Sequence, residues 1–382
     1  MRRTTLAVLL GLTIALGLVG AWLVVDRVRE TSADLSGRPL MPELKYRLND
    51  VASVTIEGAE GAFTLKRGGT DRWVMPERGN YPVDFGKLQR LLVALGDMVA
   101  IEPKTARPDR YHFLDVEDVA PGTRGLRLTV KDRSNLVLAD LIVGRPDDVL
   151  GASKVPRFFV RPVGEAGSWE VEADLRPART PADWLDRELL VLAPDRFAAV
   201  TVTKGDETAR ISRTRPDGSF TLDGLDTATM TAKMGRIGAL AVATTYLTFE
   251  DVRKVKDGPA GQPLATVRFE TFDGLVLTLG LVTIDGQGWT TIEAAYEAPT
   301  APVEAGPGPD GQPVLKDAES VRAEVGAINA RTKGWLYRLD GTRVIDLTPT
   351  PGDLADVKPA PAPVPEPVPV PEAAEPPAPQ LP

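Results

Sequence analysis

The sequence predicts an α+β protein in which an N-terminal transmembrane helix precedes two tandem β-rich repeats and a disordered Pro-rich C-terminal tail. Each repeat is predicted to be an antiparallel sheet packed with one main helix. Three observations predict this fold. Residues 4–25 carry no charge, alternation of apolar and polar residues begins at Tyr46, and several segments recur in the same order 146 residues later. A chain of 382 residues can bury two separate cores.

The segment boundaries are predicted from changes in pattern and from Pro- and Gly-rich stretches. The segments are a cytoplasmic N-terminus (1–3), a transmembrane helix (4–25), a juxtamembrane linker (26–45), a first repeat (46–190), a second repeat (191–347) with an exposed loop (299–313), and a Pro-rich disordered tail (348–382).

Residues 4–25 are predicted to anchor the chain in a membrane. As a helix they would measure roughly 33 Å, which is enough to cross the hydrocarbon core. Arg2 and Arg3 precede the apolar run and Trp22 lies near its other end. We therefore expect a single-pass bacterial inner-membrane protein with a cytoplasmic N-terminus and its bulk in the periplasm. A cleaved signal peptide, with a weak cleavage site at residues 31–33, and a buried soluble helix are the alternatives.

The first repeat is predicted to begin with a hairpin and to continue with a helix. Gly68 and Gly69 form a turn between the hairpin and a third short strand, and Asp84 is predicted to cap the helix. The apolar residues of that helix recur at helical spacing, which predicts one buried face: Leu88, Leu91, Leu92 and Leu95. Further strands are predicted in GLRLTVKD, LVLADLIVG and RFFVRP, and a short helix or extended arm in PADWLDRELLVL.

The second repeat is predicted from its matches to the first. NDVASVTIE and DRFAAVTVT align at a shift of 146 residues, and the same shift places Arg67 on Arg213. LRLTVKD at 126–132 is matched with VRFETFD at 267–273, and Trp184-Leu185-x-Arg187 with Trp335-Leu336-x-Arg338. An ordered series of matches predicts an internal duplication and directs attention to the junction between the repeats. The second helix is predicted to carry an apolar face of Met230, Met234, Ile237 and Ala241.

Composition excludes several classes of function. The net charge is −8 and the cations are scattered, so the chain lacks the basic stripe that nucleic-acid binding requires. There is no cysteine and only one histidine, which excludes thiolate nucleophiles, Cys-based metal sites and sites that need two imidazoles. No phosphate-binding loop or nucleophile elbow is present. We therefore predict no catalytic, cofactor-binding or metal-ligating residue and no cofactor.

A few residues were weighed as candidates for a site. His112 is interpreted as a surface or structural histidine, and Asp115, Glu117 and Asp118 as a solvated acidic turn instead of a weak calcium site. The recurring rings, Trp184 and Trp335, are interpreted as structural, with an aromatic binding groove as the alternative.

The sequence resembles the DUF4340 family of bacterial membrane-anchored proteins over residues 46–347. The resemblance is carried by Tyr81-Pro82-Val83-Asp84 before the first helix, Glu102-Pro103-Lys104-Thr105 after it, and Trp184-Leu185-Asp186-Arg187. The family has no assigned activity, so the resemblance implies no catalytic residues. Because similar proteins are often encoded beside ABC-type transport or gliding-motility-like components, it implies an accessory role in the cell envelope.

The leading hypothesis is a membrane-anchored periplasmic accessory protein that binds an ABC-type transport complex or another envelope complex. It would be held at the inner membrane by residues 4–25 and would not bind nucleic acid. One alternative is a periplasmic enzyme that acts on envelope polymers through two facing carboxylates in a cleft between the repeats. The other is a lipid or small-ligand binding module with an apolar cavity between sheet and helix.

Overall fold

The computed structural model describes residues 37–69, 72–147, 155–256, 261–299 and 315–358. The predicted anchor at 4–25 lies outside the described residues. So do almost all of the loop predicted at 299–313 and the tail beyond 358. Within the described ranges, no helix is long and apolar enough to cross a membrane.

The described chain is mostly antiparallel β-sheet with a few helices, as the α+β prediction requires. Short 3₁₀ turns lie at Leu48–Asp50, Pro76–Arg78, Pro108–Phe113, Pro181–Trp184 and Pro194–Arg196. The helices are α1 (Pro42–Tyr46), α2 (Phe85–Asp97), α3 (Met234–Val242), α4 (Ala318–Thr332), α5 (Gly341–Leu347) and α6 (Pro351–Leu354). The strands are β1 (Val51–Gly58), β2 (Gly61–Arg67), β3 (Trp73–Met75), β4 (Tyr81–Pro82), β5 (Val99–Pro103), β6 (Leu126–Asp132), β7 (Val137–Pro146), β8 (Arg157–Pro162), β9 (Trp169–Glu172), β10 (Glu188–Val191), β11 (Phe197–Lys204), β12 (Glu207–Ser212), β13 (Thr221–Leu222), β14 (Met230–Ala232), β15 (Tyr246–Thr248), β16 (Asp251–Lys254), β17 (Gln262–Thr271), β18 (Leu275–Ile284), β19 (Gln287–Tyr296), β20 (Trp335–Arg338) and β21 (Ala355–Val357).

Two large sheets follow one plan. The first has the order β4-β3-β2-β1-β6-β7-β8-β9-β5, and the second has the order β13-β12-β11-β17-β18-β19-β20-β16. Apart from the extra edge strand β4, each strand of the first sheet has a counterpart at the same place in the second. We refer to residues 37–190 as the first half and to residues 191–358 as the second half.

The strand register repeats as well as the order. Val54 of β1 pairs with Leu65 and Val130, while Val200 of β11 pairs with Ile211 and Phe269. The first pairing follows the predicted shift of 146 residues. The second places β17 two residues away from the predicted match of 126–132 with 267–273. A shift of two residues leaves every side chain on the same face of a strand, so alternation alone cannot detect it.

The predicted shift of 146 residues places Leu88 of the first helix on Met234 of the second. The structure shows that this correspondence is wrong by three residues. The caps Asp84 and Lys233 occupy equivalent places, because their backbone N–H groups donate to the carbonyl groups of Trp184 and Leu354 at 2.8 Å in each half. Ile237 therefore corresponds to Leu88, and both are buried. Three residues are nearly one turn of a helix, so Ile237 and Ala241 still fall on the predicted buried face despite this shift.

Two residues predicted for the buried face of the second helix do not lie on it. Met230 belongs to β14 and Met234 is more than half exposed, whereas Ile237 and Ala241 are buried as predicted. The Trp184 and Trp335 match is also wrong, because Trp184 ends a 3₁₀ turn and Trp335 begins β20. Their shared letters reflect composition and not an equivalent position.

One arginine contact is the same in both halves. Arg67 at the end of β2 donates from Nε to the carbonyl of Val51 at 2.9 Å and lies over the Trp73 ring. Arg213 at the end of β12 donates from Nε to the carbonyl of Phe197 at 2.8 Å and lies over the Phe220 ring. The predicted match of Arg67 with Arg213 thus has a physical basis, since each guanidinium ties a strand end to an aromatic side chain.

The folded region extends beyond the predicted boundaries at both ends. The linker was predicted to reach residue 45, but Leu40 N donates to Met98 O at 3.0 Å and Leu44 is fully buried. The tail was predicted to begin at 348, but Thr350 and Asp353 form a capping box and Leu354 is fully buried. These elements are too short and too rich in Pro and Gly for periodicity to reveal them.

A buried ion network fastens α4 to the second sheet. Arg196 donates from Nε to Asp273 at 2.8 Å and from Nη2 to Glu324 at 2.9 Å, and Thr271 donates its hydroxyl to Asp273 at 2.6 Å. Burial alone would raise the pKa values of both carboxyl groups. The hydrogen bonds from Arg196 outweigh burial, so the pKa values of Asp273 and Glu324 lie below their ordinary ones.

We expect Asp273→Asn to lower the free energy of unfolding by about 3–5 kcal/mol, because it leaves the Arg196 charge buried with half of its partners. Urea denaturation measures this loss. Because the depressed pKa values give stability that is lost as pH falls, the wild-type protein should also lose stability below pH 4.5, the ordinary pKa of the glutamate. The variant should lose less over the same range.

Asp109→Asn is the matched control for this variant, since Asp109 pairs with Arg107 on an exposed surface. It should leave the denaturation midpoint unchanged. Equal effects of the two substitutions would contradict a structural role for the network.

Candidate functional site

The two halves are joined by strand pairing and by side chains that reach across. β10 of the first half pairs with β15 of the second. Arg187 donates from Nε to the carbonyl of Phe249 at 2.8 Å, and Arg331 donates from Nη1 to the carbonyl of Glu188 at 2.8 Å. The buried apolar residues of both sheets form one continuous cluster. The junction is therefore part of the core and not a loose contact.

Tyr81 is the centre of this junction. Its ring meets those of Phe249, Trp335 and Tyr337 edge-on, with ring centres 5.4, 4.9 and 6.1 Å away. Such edge-to-face packing adds to the burial of aromatic area. Burial raises the pKa of Tyr81 to about 12, although a hydrogen bond with Tyr337 opposes part of the shift. Burial also raises the pKa of Tyr337, and the neighbouring Tyr81 adds to that effect.

Two open clefts flank this aromatic cluster. Cleft 1, of about 720 Å³, lies between residues 77–79 of the first half and residues 251–256 of the second, with Trp289 and Leu336 also in its wall. Cleft 2, of about 960 Å³, lies between residues 66–69 and 80–83 of the first half and Arg331 and Trp335 of the second. Each cleft exists only because the two halves pack together.

Four of the eleven residues that line cleft 1 are cations, and two, Glu77 and Asp251, are acidic. Arg78 pairs with Asp251 at 2.6 Å across the junction. Arg253 lies over the Trp289 ring at 4.6 Å, and Lys254 lies over the Trp335 ring at 5.4 Å, while Lys256 is exposed. The rings hold two of the cations in place by cation–π attraction.

A glycine allows the lysine stem to cross the junction. Gly79 has a φ of +65°, and a Cβ atom there would lie only 3.1 Å from Cγ of Lys254. A larger residue would strain the backbone and displace this lysine. Gly79 therefore helps to place Lys254 between the two clefts.

Cleft 2 is also lined by cations. Lys66, Arg72 and Arg331 are exposed, Arg67 is half-buried, and Asp186 is the acidic residue of its described wall. Arg67 and Arg331 are engaged with backbone carbonyl groups.

The candidate site residues of the sequence lie away from both clefts, except Trp335, whereas Tyr81, Pro82, Val83 and Asp186 of the family motifs line cleft 2. His112 is exposed on a 3₁₀ turn and stacks on Phe113 at 3.9 Å. Asp118 pairs with Arg161. No group of three or more potential metal-ligating side chains is found in the described part of the chain. Trp184 is buried and donates from Nε1 to the carbonyl of Ala178 at 2.9 Å, which is the structural role predicted for it.

Sequence reasoning missed the cations of cleft 1. The run DVRKVK, at 251–256, does carry a signal, because three of its last four residues, at 253, 254 and 256, are cations. That signal has meaning only when the strand is known to lie at the edge of its sheet.

Comparison with known proteins gives one match. A family model described as a domain of unknown function, DUF4340, matches residues 73–260. These residues are just under half of the chain, and they resemble the DUF4340 family. The predicted resemblance is thereby confirmed, although the match is shorter than the predicted 46–347. No curated protein and no solved structure matches the chain.

The extent of the DUF4340 match bears on the junction. It begins at Trp73 in β3 and ends after β16, so it contains Tyr81, Phe249 and the cations of cleft 1. The match therefore crosses from the first half into the second and does not stop at the boundary of a single sheet.

Raised tyrosine pKa values predict how the junction responds to alkali. Unfolded tyrosines ionise near pH 10, whereas Tyr81 stays neutral to about pH 12. The free energy of unfolding should therefore fall as pH rises between 10 and 12. Denaturation series at several pH values measure this slope, and phenolate absorbance reports ionisation.

Tyr337→Phe should make that slope shallower, because one buried hydroxyl is removed. Tyr46→Phe is the control, since Tyr46 is almost fully exposed and should leave the slope unchanged. Ionisation of every tyrosine near pH 10 while the protein remains folded would refute the buried junction.

Proposed function

We propose that this protein is an accessory binding protein of the bacterial cell envelope. Residues 4–25 would hold it in the inner membrane with its bulk in the periplasm, and the junction would bind an ABC-type transport complex or another envelope complex. The observation that carries this proposal is the pair of cation-lined clefts formed only where the halves meet. We also infer that the halves arose by duplication, which the repeated strand order and register support.

Charge at the junction favours binding over catalysis. The protein as a whole is acidic, with a net charge of −8. Among the described residues that line the two clefts, however, cations outnumber acidic residues. A local field opposite to that of the molecule steers and orients a partner of complementary charge.

The carboxylate-enzyme alternative gains no support from the clefts. It requires two facing carboxylates whose pKa values are pushed apart. Cleft 1 contains two acidic residues, Glu77 and Asp251, but Asp251 is held by Arg78, an arrangement that suits a structural ion pair. The small-ligand alternative requires space between helix and sheet, but Leu88 and Leu95 of α2 are fully buried there.

Affinity capture from solubilised membranes tests the proposal. The tagged full-length protein should recover a component of an ABC-type or other envelope complex. Removal of residues 1–25 should reduce recovery, because the anchor raises the effective concentration at the membrane.

A junction variant makes the test specific. Lys66→Glu combined with Lys254→Glu reverses one exposed charge in each cleft and should reduce recovery of the partner at least tenfold. Arg110→Glu combined with Arg215→Glu changes the net charge equally at exposed sites outside both clefts. Recovery of no envelope protein, or equal recovery with both double variants, would refute the proposal.

A further inference from the structure

We propose that cleft 1 binds an extended, carboxylate-bearing peptide segment of a partner protein, which lies along the edge strand β16. The inference rests on the proposed function and names the ligand of the junction. It is carried by three features of the cleft: cations without counter-ions, a charge reversal between the halves, and a sheet edge that is left open.

The first feature is the unpaired charge. No carboxylate of the described residues forms a salt bridge with Arg253, Lys254 or Lys256, although Arg78 in the same cleft is paired with Asp251. Trp289 and Trp335 hold Arg253 and Lys254 in place. Cations that are already positioned lose less side-chain freedom when an anion binds.

The equivalent place in the first half shows what such cations bind. Lys104 lies over the Phe159 ring there, as Arg253 lies over the Trp289 ring. Lys104 also pairs with the buried carboxylate of Glu170, which Arg157 approaches at 3.0 Å. Hydrogen bonds from these two cations overcome the effect of burial and lower the pKa of Glu170. The first half therefore supplies its own carboxylate.

The second half has reversed the charge at that position. Glu170 pairs with Glu102 and Phe159 in the first sheet, and Arg338 pairs with Asp251 and Trp289 in the second. Arg338 thus stands where the internal carboxylate would be. Arg338 itself pairs with Glu250 at 3.6 Å, so the cations of cleft 1 lack the internal carboxylate that Lys104 has in the first half. A carboxylate from outside would supply it.

Among the described residues, the second sheet also lacks the cover that the first sheet has. Residues 104–125 connect β5 to β6, and Arg161 binds this segment through the carbonyl of Val116 at 2.8 Å and through Asp118. Val116 packs with Phe159. The corresponding connection in the second half is only residues 255–261. The face of the second sheet beside Trp289, next to the cleft along β16, is therefore left without this cover by the described residues.

The geometry suits a strand better than a small anion. Six successive residues, 251–256, line the cleft, and an extended segment of that length spans roughly 20 Å. β16 is the last strand in the order of its sheet, with β20 on its other side. Within the described residues no strand pairs with the other side of β16. The N–H of Val252 already donates to its neighbour Asp251 at 2.9 Å, so a peptide can add main-chain hydrogen bonds at the remaining groups of this edge while its carboxylates meet the cations.

Fluorescence anisotropy with labelled decapeptides tests the inference on the purified full-length protein. A peptide of alternating Glu and Val should bind saturably and more weakly as salt is added. A peptide of alternating Lys and Val should not bind. Inorganic phosphate at the same concentration as the peptide should not displace it. Removal of residues 359–382 should leave the affinity unchanged.

Variants locate the binding. Lys254→Glu combined with Lys256→Glu should lower the affinity for the Glu–Val peptide at least tenfold. Lys256→Glu alone, which changes an exposed side chain, should lower this affinity severalfold without altering the thermal midpoint of unfolding. Arg110→Glu combined with Arg215→Glu should leave the affinity unchanged. Failure of the Glu–Val peptide to bind, equal binding of both peptides, or insensitivity to the cleft variants would overturn the inference.

Other results also decide against this ligand. Displacement by phosphate would assign the cleft to small anions, and tighter binding after removal of residues 359–382 would assign it to this chain's own acidic tail. The test is separate from membrane capture. Peptide binding without a captured envelope partner would refute the proposed function alone, and the reverse result would refute the peptide ligand alone.

Discussion

The packing of Tyr81 against three aromatic rings of the second half is the contact on which the architecture depends. Because Phe249, Trp335 and Tyr337 meet it edge-on, the two sheets share a core instead of forming two separate ones. Both clefts are consequences of this arrangement, since each takes one wall from each half. A substitution that loosened the aromatic cluster would therefore alter surfaces that it does not touch.

The two halves share a backbone arrangement but differ in the charge of particular side chains. Arg67 and Arg213 donate to equivalent backbone carbonyl groups at nearly the same distance. Lys104 and Arg253 each lie over an aromatic ring at equivalent positions. The charge at one sheet position differs, however, since Glu170 is replaced by Arg338. Packing constrains the buried framework closely, whereas a charge at its margin can be exchanged and can redirect the surface toward a different partner.

The sequence predicted the kinds of elements better than their alignment. Alternation and helical spacing revealed the strands and the face of Leu88, but they could not detect a slip of two residues in β17 or of three in α3, because those slips preserve the face. The matched Trp184 and Trp335 were misleading, since a shared pair of letters carries no information about hydrogen bonding. The cations of cleft 1 acquire their meaning from Arg338, whose partner strand is known only from the fold.

The pairing of residues 37–40 with β5 has a geometric consequence for the proposed membrane anchor. Since the chain is fastened to the sheet at residue 37, residues 26–36 alone connect the folded part to the proposed anchor. Eleven residues can extend at most about 40 Å. In the proposed anchored arrangement, residue 37 would therefore lie no farther than this from the membrane, and a partner would have to reach the folded part from within that limit.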